Sequence, residues 1–172
     1  MEEADKKAAY DADVTYATSM HWRDFGVILL TPEDEIVDQV GAYGNRNSSC
    51  TDGDPIAEKL NHFDSTTYQR VSDTGDNRTD FIVTATRTPG VDEPGTDYAP
   101  APTFTGFQDV RISEIVGAGP AGGNDEFFEL ANYGDQPVDL SGWSAYRCYG
   151  TGQPGVADDV QIADLGVTLQ PG

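Results

Sequence analysis

Few side chains in this 172-residue chain have the types and spacing that chemistry demands. Cys50 and Cys148 are the only cysteines, one in each half of a Gly- and Asp-rich sequence. No Cys-x-x-Cys occurs, which disfavours dithiol redox chemistry and thiolate zinc, and a single disulfide formed in an oxidising compartment is the expectation. If it closes within one chain, the loop is ~100 residues, and the chain-entropy model values the bridge at about 4.7 kcal/mol. Glu114 and Glu129 invite a glycosidase reading, one carboxyl as acid and the other as base or nucleophile. His21 and His62 are the only histidines, and neither has His-Glu-x-x-His spacing. Ser65 near His62 lacks an orienting group, and no Gly-x-Ser-x-Gly is present, so no nucleophilic triad is expected.

Asp73, Asp76, Asn77 and Asp80 form an oxygen-rich turn, and a hard cation such as calcium takes several such oxygens. Their spacing is not that of an Asp-x-Asp-x-Asp-Gly loop, and Asp and Asn are ordinary turn residues, so calcium is the lesser reading there. Asp52-Gly53-Asp54 and Asp158-Asp159 are weaker versions of the same idea. Asn47-Ser48-Ser49 and Asn77-Arg78-Thr79 fit the glycosylation sequon. Trp143 follows Ser141-Gly142 on an expected strand, and it reads as core rather than as a carbohydrate platform.

The charge balance narrows the partners. With 30 acidic against 10 basic residues the net charge is -20, which repels phosphate backbones, so no nucleic-acid partner is expected. Solubility alone accounts for such a surface, with adaptation to salt or to a cell surface as the functional alternative. No apolar run approaches the ~20 residues of a bilayer span, and Met1 to Tyr10 is charged where an export leader would be apolar. At 37% apolar and 10% aromatic residues, the chain can still bury a real core.

The elements that must position these residues are mostly strands. Phe25 to Leu30, the turn Thr31 to Asp34 and Glu35 to Val40 read as a β-hairpin, followed by a long loop over 41–55. Asp54-Pro55 ahead of Ile56, Leu60 and Phe63 gives one or two helical turns, the only helix signal in the chain. Strands are expected at Tyr68 to Val71 and Asp80 to Thr86, with a polar turn from Asp73 to Asp80 between them. Residues 91–108 are Pro-rich without apolar periodicity and read as an extended linker. Further strands follow at Val110 to Val116, Glu126 to Ala131, Val138 to Leu140, Trp143 to Tyr149, Val160 to Leu165 and Val167 to Gly172. Many short strands with almost no helix imply a β-sandwich.

The second block resembles the lamin tail domain, an immunoglobulin-like sandwich. The resemblance rests on Arg111-Ile112-Ser113-Glu114-Ile115, on Asp125 to Asn132, on Val138-Asp139-Leu140-Ser141-Gly142-Trp143 and on Leu169-Gln170-Pro171-Gly172. Where that family carries E-L-Y-N, this chain has Glu129-Leu130-Ala131-Asn132. Gly26 to Gly41, Ser65 to Arg70, Asp73 to Asn77, Asp80-Phe81 and Thr88-Pro89-Gly90 resemble the family's other half. The resemblance therefore implies a tail over 1–13, the second half of such a domain over 14–90, a linker over 91–108 and the first half of another over 109–172. Since Glu114 and Glu129 both fall on its strand motifs, it implies structural roles for them.

A half-sandwich exposes an apolar face and unpaired edges, so each half needs a partner. Either the halves pair within one chain as a circular permutant, for which a linker reaching roughly 55 Å at ~3.1 Å per residue is ample, or they pair between chains, head to tail, or the chain is a cut fragment of a tandem array. The expectation is an all-β, immunoglobulin-like sandwich of lamin-tail type. Its function would be that of a non-catalytic structural or interaction module of an exported or cell-surface protein, without cofactor. The expected partner is another protein or neighbouring copies of itself. A self-assembling protein of complementing half-domains, or an accessory domain of a secreted hydrolase, are the alternatives.

Overall fold

The computed structural model describes residues 13–14, 26–42, 50–58, 60, 66–85, 87, 109–117, 126–148 and 160–171. Among them the apolar runs become strands β1 (Gly26–Leu30), β2 (Ile36–Gly41), β3 (Thr67–Arg70), β4 (Phe81–Thr84), β5 (Val110–Val116), β6 (Phe127–Asn132), β7 (Val138–Asp139), β8 (Trp143–Cys148), β9 (Val160–Leu165) and β10 (Thr168–Leu169). A single helical turn, α1 (Asn77–Asp80), precedes β4.

The protein is all-β. The strands of the described residues form two four-stranded sheets, β2-β1-β8-β9 and β4-β3-β5-β6, with a small β10-β7 ribbon, and every pair among these strands is antiparallel. One buried cluster draws Val27, Leu29, Val40, Trp143 and Ala145 from the first sheet and Tyr68, Phe81, Val110, Ile112 and Ile115 from the second. Residues facing this cluster alternate along the strands, with a change of phase in β5 between Ile112 and Ile115.

Each large sheet takes two strands from before the Pro-rich stretch and two from after it. In the first sheet the junction is β1 against β8, in register from Gly26 opposite Cys148 to Leu30 opposite Ser144. In the second it is β3 against β5, and only Tyr68 with Ile115 and Gln69 with Glu114 are in register. The two blocks thus complete both sheets within one chain, and neither leaves its central edge open.

The hairpin and the later strands form where the alternation placed them. The helix does not. Residues 54–58 are not helical; Ile56 instead bridges Ala42, and its N–H donates to the Gly41 carbonyl at 2.9 Å. This pairing buries Ile56 completely, and burial against the sheet outweighs a favourable cap. Phe63 lies outside the described residues. The observed turn of helix sits in the segment read as a polar turn, where the Asp76 side chain caps it by accepting from the Arg78 N–H at 3.0 Å.

Candidate functional site

The densest polar cluster in the described residues lies inside the sandwich, at the β3–β5 junction. Arg70 shares the inward phase of β3 with Tyr68, so its guanidinium must enter the core, and it is 1% exposed. Asp38 shares the inward phase of β2 with Val40, and the two side chains meet between the sheets. Arg70 Nη2 donates to both Asp38 carboxylate oxygens, at 3.0 and 2.7 Å. One guanidinium nitrogen thus serves both carboxylate oxygens in a charge-assisted contact, which leaves Nε and Nη1 for other acceptors.

The pair also solves a backbone problem. A β-bulge at Ser113 shifts the β5–β6 register between Ile112 and Glu114, and the β3–β5 pairing stops at Glu114. Ile112 is fully buried, and its peptide groups must find other partners. Its N–H donates to Asp38 Oδ2 at 2.7 Å, and its carbonyl accepts from Arg70 Nε at 2.9 Å. The ion pair therefore continues the ladder where the strands part. Arg70 also lies over the Phe81 ring, 4.6 Å from its centre.

Around this pair the oxygens of the acidic turn are taken up by the fold. Asp73 accepts from Arg111 Nε at 3.0 Å and from Arg70 Nη1 at 3.4 Å, so it joins the two blocks as well. Asp80, buried, accepts from the Ser72 hydroxyl at 2.8 Å and from the Thr74 and Asp76 N–H groups at 2.8 and 3.2 Å. Asn77 is fully buried; its Oδ1 accepts from Gly41 N–H, the Thr51 hydroxyl and Asp52 N–H, and its Nδ2 donates to the Gln39 carbonyl. A side chain so enclosed cannot receive a glycan, which corrects the sequon reading at this position. No group of three or more His, Cys, Asp or Glu arranged to hold a metal occurs among the described residues.

Asp52 borders the cluster from outside. Burial first, then the negative charges of Asp38, Asp73 and Asp80, raise its carboxyl above the usual carboxylate range, with Arg70 opposing them. Gly53 lies at φ +57, and a Cβ there would stand 2.7 Å from the Gly75 carbonyl, so only glycine fits where the two loops meet.

Cys50 and Cys148 are joined by a disulfide, with Cα atoms 6.1 Å apart and a sequence separation of 98. They are buried with Ile28 and Leu30, and Tyr146 packs against this second apolar cluster on the outward side of β1 and β8. Glu114 and Glu129 are register neighbours across β5 and β6, and the Glu129 carboxylate accepts from the Ser113 hydroxyl at 3.2 Å. Glu114 is 0% exposed and so has no surface from which to reach a sugar. Trp143 lies in the main core. His21, His62, Ser65, Asn47 and Asp158-Asp159 lie outside the described residues.

The sequence reading named the acidic turn and the cysteines but missed Asp38, Arg70 and Arg111. The available signal was phase: Asp38 falls two residues before Val40, and Arg70 two residues after Tyr68, so each stands where an apolar residue is due. No family model, no curated protein and no solved structure matches the chain.

Proposed function

We propose that this chain is a non-catalytic structural or interaction module of an exported or cell-surface protein. The observation that carries the reading is the buried Cys50–Cys148 disulfide, which links the block before the Pro-rich stretch to the block after it. Such bridges form and persist in oxidising compartments. A supporting observation is that the acidic turn, the side chains most suited to binding a cation, is committed to holding the sandwich together. The lamin-tail resemblance belongs to this proposal: the chain is a sandwich of that type whose halves run in permuted order and complete one another.

The test is thiol trapping in the source cells. Alkylation without reductant, followed by intact mass, is expected to leave both cysteines unlabelled, in protein recovered from the medium or the cell surface. Both cysteines alkylated, in protein recovered from the cytosol, would overturn the reading.

A further inference from the structure

We propose that this fold depends on concentrated salt, because its described residues bury or half-bury four of their five cations and present many of their anions to solvent. The net charge of -20 sets the scale, but its distribution carries the argument. Among the described residues Arg70 and Arg111 are buried, Arg87 and Arg147 are half-buried, and none is a lysine. Arg78 is the only exposed arginine among them, and it is already paired with Asp54 at 3.2 Å. The same surface exposes Glu33, Asp34, Glu35, Asp52, Asp135 and Asp164, among others. An imbalance of this kind opposes the compact state, which unfolding relieves by dispersing the charges.

The repulsion is concentrated where the loop around Asp52 is zipped to α1. Asn77 N–H donates to the Asp52 carbonyl at 2.8 Å, Arg78 N–H to the Asp54 carbonyl at 3.0 Å, and Asp52 N–H to Asn77 Oδ1 at 3.2 Å. These bonds hold the Asp52 backbone, and its carboxylate lies beside Gly75, where a Cβ would stand 3.8 Å from Oδ2. Asp38, Asp73 and Asp80 lie behind it, and all three share Arg70. Asp52 thus adds a further negative charge to a cluster whose central cation is already committed.

Salt acts unequally on these terms. The screening length falls from about 10 Å at 0.1 M to about 3 Å at 1 M, which suppresses repulsion between exposed carboxylates, whereas a buried pair is screened much less. Concentrated salt therefore removes the cost of the surface and leaves the Asp38–Arg70 attraction in place. The effect needs no bound ion.

The experiment is thermal unfolding of the whole chain by circular dichroism at neutral pH, from about 0.05 M to about 3 M KCl, with Asp52→Asn and Asp34→Asn beside the parent. Asp34 is exposed in the β1–β2 turn, at φ 61, a conformation that Asn tolerates. The parent midpoint is expected to rise by roughly 10 °C or more across the series. Each variant is expected to raise the midpoint at low salt, with the difference closing at high salt. A midpoint indifferent to KCl would overturn the proposal, as would variants that bring no gain at low salt. Full stabilisation by calcium or magnesium at millimolar concentration in dilute KCl would also overturn it, because that response belongs to a bound ion.

Discussion

The two junctions between the blocks are built from opposite materials. In the first sheet β1 and β8 pair along five consecutive positions, and the outward side of that ladder carries the disulfide and an apolar cluster. In the second sheet β3 and β5 share two register pairs, after which a buried ion pair takes over the peptide groups of Ile112. The first junction is held by the backbone and a covalent bond, which tolerate changes in the surrounding side chains. The second is held by a few side chains whose charges must all be answered, so its loss on mutation is expected to be steep and local.

Removing the bridge breaks the first junction. For a separation of 98 positions, Cys50→Ala with Cys148→Ala is expected to cost about 4.7 kcal/mol in the chain-entropy model, read by urea denaturation against the parent. Reductant should then destabilise the parent and leave the double variant unchanged. The second junction breaks with Arg70→Met, which leaves Asp38 charged and buried without its cation, at an expected cost of about 3 to 5 kcal/mol. Arg70→Met with Asp38→Leu is expected to recover part of that loss, while Ile112 N–H and carbonyl stay unanswered. If the single and double variants were equally unstable, the backbone role of the pair would outweigh its charge.

A smaller effect is expected from Asn77→Ala, which strips Gly41 N–H and Asp52 N–H of their acceptor and should cost about 1 to 3 kcal/mol. Tyr68 sharpens the comparison from the core side of β3. Its hydroxyl donates to the Glu58 carbonyl at 2.7 Å and accepts from Leu60 N–H at 3.2 Å, and burial pushes it up to about 12. A tyrosine raised on folding contributes stability that is intact below its ordinary value of 10.0 and lost as pH rises through about 12. Tyr68→Phe is expected to cost about 1 kcal/mol at neutral pH and to remove this part of the alkaline loss, as followed by denaturation at a series of pH values.

The strands were legible because alternation and turn residues act locally, and Gly26–Leu30 or Val110–Val116 read as strands from their own composition. The segment at Asp54 to Phe63 misled because its cap and spacing are local signals, while Ile56 answers to Ala42 across a loop. The turn Asn77–Asp80 is too short to show periodicity. The cysteines and, in the central cluster, the acidic turn were visible by residue type. The ion pair was not, because Asp38 and Arg70 become partners only when two sheets are stacked. Their inward phase was in the sequence; what answered it was not.

The central claim is that both blocks complete one another inside a single chain. Native mass spectrometry of the untreated protein, repeated after denaturation with and without reductant, tests it most directly. The account predicts a monomer throughout, lighter than its reduced form by the hydrogens of one disulfide. A dimer or higher multiple that denaturation dissociates, or a monomer carrying free thiols, would contradict it.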